Sequence, residues 1–197
     1  MTTASGTRSA LRRWPPIGIL AMVVLGLAVG DGSTSVDDWF SRTGAAHPVL
    51  GRLLWFTHPL MLLLLLVLAA AAALHRRRWR VGAAVVLTPL IAVIAVRVLK
   101  RLFGRYKGEG LAYPGGHVTV AVVVLGMVLL VAGATVWLLV AAAVVALLGV
   151  LGQAFTYHYF TDTIGAVFLG TALVCVAFLA AELDRCQPRC DLDHSGG

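Results

Sequence analysis

His158 and Asp162 stand four residues apart, His117 closes the run Pro114-Gly115-Gly116-His117, and Arg97, Lys100, Arg101, Arg105 and Lys107 crowd the stretch before it, opposed by Glu109 alone. Positions four apart on a helical turn share a face, so the carboxylate can hold the imidazole in one tautomer. An imidazole held that way is a nucleophile or a base. A second histidine behind two glycines at a helix N-terminus supplies an acid beside backbone N–H groups that can take phosphate oxygens. Cations at membrane depth are costly, so their clustering reads as a site for an anion. The plainer reading makes them interfacial anchors reaching for headgroups. Nucleophile, acid and anion cradle together describe phosphoryl transfer.

The elements that must position these groups are set by composition. The chain has 197 residues, 59% of them hydrophobic and 13% charged, with a mean hydropathy of +0.90. That places it among integral membrane proteins and excludes an ordinary soluble domain. The net charge of +7 sits mostly in short loops between apolar runs, where it sets topology and meets lipid phosphates; nucleic acid is not an expected partner. Three cysteines make no disulfide framework.

Six apolar runs predict an all-α, six-transmembrane-helix bundle: Ile17 to Val29, Phe56 to Leu74, Val81 to Val96, Val118 to Val131, Val136 to Val150 and Thr163 to Ala181. The first is read as an uncleaved span, because the GDGSTS after it lacks a small-x-small cleavage pattern, and it is short enough to leave Trp14, Pro15 and Pro16 in the interface. Between the first two spans, Val36, Trp39, Phe40, Val49, Leu50, Leu53 and Leu54 suit a short amphipathic segment lying on the surface. The expected organisation is a cytoplasmic N-terminal segment 1–16, a six-span domain 17–181 and a cytoplasmic tail 182–197. The arginine-rich loop 75–80 marks the cytoplasmic face, putting both termini inside and the basic stretch outside, against the usual charge rule. Gly133-Ala134-Thr135 makes the fourth and fifth spans an antiparallel hairpin, so residues 152–162 emerge on the face that carries residues 97–117.

At these residues the chain resembles the type-2 phosphatidic acid phosphatase superfamily of lipid phosphate phosphatases, as a divergent member. The first motif of that family is Lys, six residues, then Arg-Pro, often around a Gly-Arg. Lys100, Gly104 and Arg105 match it, while Lys107 and Gly108 replace the Arg-Pro. Pro114-Gly115-Gly116-His117 stands for Pro-Ser-Gly-His, and the third motif keeps His158 and Asp162 but has Leu151-Gly152 for Ser-Arg. The resemblance spans about residues 55–180. It implies that His158 attacks phosphorus to form a phosphohistidine, Asp162 orients it and His117 protonates the leaving alkoxide. Lys100, Lys107 and the backbone of Gly115 and Gly116 would hold phosphate oxygens, with no metal and no cofactor. Gly152 removes an arginine that the family aims at the phosphate; Arg97, Arg101 or Arg105 could replace it, and Arg105 is the expected substitute.

The resemblance implies a phosphatase for a lipid phosphomonoester or diphosphate on the outer face of the plasma (inner) membrane. Polyprenyl phosphates or diphosphates lead, with phosphatidylglycerol phosphate and phosphatidate behind them. The alternative is a catalytically degenerate protein that binds or translocates a lipid phosphate. A metal site on His117, His158, Asp162 and His47 is disfavoured by the surrounding cations. Cys186, Cys190 and His194 read as a solvated tail, Cys175 as packing, and Gly126, Gly149, Gly165 and Gly170 as close helix contacts. The membrane lipids are the expected surroundings, and a homodimer is left open.

Overall fold

A computed structural model describes the backbone of residues 2–182 and the side chains of residues 9–181. It comprises α1 (Thr2–Val29), α2 (Ser35–Ala46), a 3-10 helix (Pro48–Thr57), α3 (Pro59–His75), α4 (Trp79–Phe103), a small hairpin of β1 (Tyr106–Lys107) and β2 (Gly110–Leu111), α5 (Gly116–Ala132), α6 (Val136–Phe155) and α7 (Phe160–Glu182). Among the described residues, five helical stretches are long and apolar enough to cross a membrane: Ser9–Val29, Pro48–His75, Trp79–Phe103, Val136–Phe155 and Phe160–Ala181. The chain is a multi-pass membrane protein. The remaining apolar helix, α5, has 17 residues and is shorter than the other five stretches.

α5 sits at the centre, packed by α3, α4, α6 and α7. That placement matches its sequence, since a helix apolar on every side is one with neighbours on every side. Val123 and Met127 join Ala73, Val85, Ala92 and Ala177 in one buried cluster. α1 lies along α7, where the Trp14 indole N–H donates to Thr171 Oγ1 at 2.9 Å. Trp14 is therefore pinned to a neighbouring helix, and α1 includes Pro15 and Pro16, the residues expected in the interface, within its length.

Two boundaries differ from expectation in ways that matter for the site. α4 runs on through Arg97, Lys100 and Arg101 to Phe103 before Gly104 ends it with φ 65°, so these cations ride on the last turns of a helix. Positive charge there complements the carbonyl end of the helix dipole, and left-handed glycine is the usual stop. The surface segment divides in two. Thr34 and Asp37 form a capping box that starts α2, and Pro48 opens the 3-10 helix that follows. α2 buries Asp37 and Phe40 against the bundle, while Val36 and Trp39 stay exposed. Phe40 stacks on Phe160 with centroids 4.5 Å apart, and a Cβ on Gly44 would collide with the Phe155 carbonyl. The 3-10 helix docks as closely on α6, where Gly152 lies against the Leu53 and Leu54 backbone and Gln153 donates to Thr57 Oγ1 at 3.0 Å. The tail residues Cys186, Cys190 and His194 lie outside the described residues.

Candidate active site

The close turn between α5 and α6 brings both ends of the hairpin to one level, and there His117 and His158 line a single cavity of about 580 Å³ together with Arg97, Lys100 and Gly116. Its polar end is built by the last turns of α4, the first turn of α5 and the segment before α7. Its other end is apolar, walled by Leu62, Leu63, Leu66, Pro89, Val93 and Val124. A cavity polar at one end and oily along its length suits an amphiphile.

His158 is 8% exposed, and its carbonyl accepts from Lys107 Nζ at 2.8 Å. Burial, with Lys100, His117 and Lys107 nearby, pushes its pKa down to about 3, so the ring is neutral at physiological pH. Its Nδ1 is buried without a hydrogen-bond partner and lies 3.9 Å from Asp162 Oδ2, within ion-pair range but beyond a hydrogen bond. Asp162 is fully buried in the first turn of α7. Its Oδ2 accepts the Tyr159 N–H at 3.1 Å, and its Oδ1 accepts from Arg105 Nη1 at 2.6 Å.

Arg105 is not among the residues that line the cavity. It is 1% exposed, its Nη1 also reaches Thr161 Oγ1 at 2.8 Å, and its Nη2 donates to the Gly32 carbonyl at 2.7 Å and Asp37 Oδ2 at 3.1 Å. The Tyr159 ring covers its guanidinium at 4.5 Å and the Lys107 ammonium at 4.8 Å. Burial lowers the Lys107 pKa, only partly opposed by Asp162 and Asp37. Lys100 Nζ donates to the Leu111 carbonyl at 2.5 Å, which ties the hairpin to α4. Arg101 is exposed and does not line the cavity.

The glycines divide in the same way. The Gly115 N–H donates to the Asp162 carbonyl at 3.0 Å, whereas Gly116 lies on the cavity wall at the start of α5. His58 caps α3 through Nδ1, which accepts from the Leu60 N–H at 3.3 Å, and His47 ends α2. Among the described residues no group of three His, Cys, Asp or Glu side chains is placed to hold a metal ion.

Asp37 is the residue that sequence reasoning passed over. It is wholly buried; that alone would raise its pKa, but hydrogen bonds from Thr161 and Thr34 more than offset it and hold the carboxyl below its usual range. The available signal was Thr34-x-x-Asp37, a capping-box spacing, inside a segment read only for its apolar residues.

No family model matches the chain, and no curated protein matches it either. Among solved structures, it superposes on the crystal structure of the first transmembrane PAP2-type phosphatidylglycerolphosphate phosphatase from Bacillus subtilis, with a TM-score of 0.71. The match covers 89% of this chain and 98% of that one at 21% identity. This chain has the PAP2 fold. In that fold, the three stretches compared above with the family motifs meet at one place: the end of α4, the start of α5 and the segment leading into α7.

The third-motif departure also has a structural cause. A Cβ on Gly152 would lie 2.7 Å from the Leu53 carbonyl carbon and 2.9 Å from the Leu54 nitrogen, so backbone fills the space where a side chain would begin. Gly115 differs. A Cβ there would meet the Asp162 carbonyl oxygen at 3.4 Å, an ordinary contact, so this PAP2 fold has room for a serine Cβ at that position.

Proposed function

We propose that this protein is a membrane lipid phosphate phosphatase of the PAP2 superfamily, working through a phosphohistidine. The observation that carries the reading is the cavity itself, with His158, His117, Lys100 and Arg97 at one end and an apolar channel at the other. His158 Nε2 uses its lone pair to form a bond to phosphorus as the phosphorus–oxygen bond to the lipid breaks. The leaving oxygen takes a proton from His117. Water then attacks phosphorus, gives a proton back to His117, and releases phosphate from the ring. Lys100, Arg97 and the free N–H groups at the start of α5 balance the phosphate charge. Lys107 lies just behind, on the His158 carbonyl. Arg105 and the Gly115 N–H, both expected on the phosphate, belong here to the frame around Asp162. Arg101 lies off the cavity and is left out of the phosphate set.

The substrate is a phosphomonoester or diphosphate of a lipid, with its chain in the apolar channel. Polyprenyl phosphates and diphosphates stand beside phosphatidylglycerol phosphate, which the structural neighbour's description names, and phosphatidate. α5, fourth in chain order, brings the spans to six: its 17 residues reach about 25 Å at 1.5 Å per residue, close to a hydrocarbon core of about 30 Å. With the arginine loop between α3 and α4 in the cytoplasm, both termini lie inside and the cavity mouth outside. The reaction uses no metal, because Lys100 and Arg97 take the place of one around the phosphate.

The test is release of inorganic phosphate by purified protein in detergent with excess chelator, over a panel of those four lipids, beside His158→Ala. Release from one lipid, cut about 10³-fold or more in the variant, is the expected result. Folded wild-type protein that binds a lipid phosphate but releases none would replace the enzyme with the lipid-phosphate binder.

A further inference from the structure

We infer that Asp37, on a helix that contributes nothing to the cavity wall, is a positioning residue for Asp162 that acts through Arg105; the inference rests on the phosphatase reading above. Arg105 bridges two fully buried carboxylates, with Nη1 2.6 Å from Asp162 Oδ1 and Nη2 3.1 Å from Asp37 Oδ2. Within the hydrogen-bonded network two negative charges meet one positive charge, a net −1; the Lys107 ammonium feels both carboxylates from outside it, bonded to the His158 carbonyl at 2.8 Å, and is the same in every variant below. The excess is what the reaction needs. When His158 Nε2 bonds to phosphorus, the ring becomes an imidazolium whose Nδ1–H faces Asp162. An Asp162 paired with Arg105 alone would belong to a neutral pair with little field left for that cation. Asp37 occupies the other edge of the guanidinium and leaves the negative charge of Asp162 available to His158.

The geometry agrees with the charge count. Arg105 takes Oδ1 of Asp162, which leaves Oδ2 turned toward the unpartnered His158 Nδ1 at 3.9 Å. A closure of about 1 Å would bring that pair to hydrogen-bond length as the ring acquires charge. Asp37 is itself firmly held. Its Oδ1 accepts the Thr161 N–H at 2.9 Å, and its Oδ2 accepts the Thr161 hydroxyl at 2.9 Å and the Thr34 N–H at 3.1 Å. An ionised carboxylate taken wholly out of water is a costly way to dock a helix that Phe40 and Gly44 already seat, so its charge has a further use.

The rival explanation is that Asp37 only ties α2 to α7. Charge separates the two. Asp37→Asn leaves the network neutral, whereas Asp37→Asn with Arg105→Gln returns it to −1 with hydrogen-bonding groups still in both places. On a lipid that the wild type hydrolyses and His158→Ala does not, Asp37→Asn is expected to lower kcat about tenfold or more with KM within twofold. The double variant should recover a large part of that loss. Thr34→Ala, which loosens the α2 cap without changing charge, should lower Tm in detergent and leave kcat within twofold. If the single variant does not fold, the folded double variant decides: kcat within a few-fold of wild type supports the charge balance, and kcat lower by tenfold or more overturns it. A double variant slower than the single, or wild-type kcat in Asp37→Asn, overturns it while the phosphatase reading stands. Wild-type silence over the whole panel overturns both.

Discussion

Two charged regions lie back to back around His158, and they handle charge in opposite ways. On the cavity side, Arg97 and Lys100 line an open space with the two histidines. Behind it, Asp37, Arg105, Thr161 and Asp162 form a closed network in which the guanidinium is 1% exposed. The first region turns cations toward an open cavity; the second has anions in excess of its cation. A buried ion pair holds only if nearly every polar atom finds a partner, and here Arg105 Nε alone among the network's side-chain nitrogens and oxygens lacks one, so the network fixes geometry and leaves little for a ligand. A phosphate site needs the reverse: donors that are placed but not yet satisfied.

The strongest way to break this division is to add a cation at the place where the resembling family carries one. Gly152→Arg puts a side chain where a Cβ already lies 2.7 Å from the Leu53 backbone. Overpacking against side chains costs about 1–3 kcal/mol, and backbone yields less readily. The expected outcome is loss of the docked 3-10 helix, a much lower Tm in detergent and no gain in phosphate release. A folded Gly152→Arg protein with tighter phosphate binding would mean that the cavity lacks a cation for want of the arginine, and the division drawn here would fail.

A smaller effect sharpens the sorting of cations within one helix. Lys100 and Arg101 are neighbours on α4, yet Lys100 lines the cavity and Arg101 points away from it. Lys100→Met should cut kcat/KM about 10²-fold, as removal of one preorganised donor to a developing charge commonly does. Arg101→Met should stay within about twofold, since exposed charges contribute little. Equal losses in the two variants would return the whole run to a diffuse basic patch.

That contrast also marks how far the chain could be read without coordinates. The apolar runs and the turn at Gly133 were legible because hydropathy and glycine act locally, and the hairpin they make carries His117 and His158 to one level. The five cations were legible as a group. Their division was not, because it depends on helical phase at the end of α4 and on Asp37, which is distant in sequence and close in space. Asp37 sat in a segment whose apolar residues suggested a surface helix; the buried side of α2 turned out to carry its carboxylate beside Phe40. Gly152 reads in sequence as a missing arginine, and the 3-10 helix against it adds that backbone fills the space where a side chain would begin.

The gentlest test concerns the boundary residue itself. His158 belongs to the cavity through its ring and to the network through Nδ1, and its pKa is held at about 3 against 6.5 for a free imidazole. A neutral ring is the reactive form toward an acylating reagent such as diethyl pyrocarbonate. An ordinary imidazole would be only about 3% neutral at pH 5, so its modification would slow about thirtyfold between pH 7.5 and pH 5. Modification at His158, followed by peptide mass spectrometry, should change less than about twofold over that interval. The same depression carries a stability sign. Between pH 6.5 and about 3 the unfolded chain binds a proton at this position that the folded chain refuses, so folding weakens as pH falls through that window. A thirtyfold slowing would mean that the ring is solvated like any surface histidine, and that burial and the neighbouring Lys100, His117 and Lys107 do not hold its pKa down.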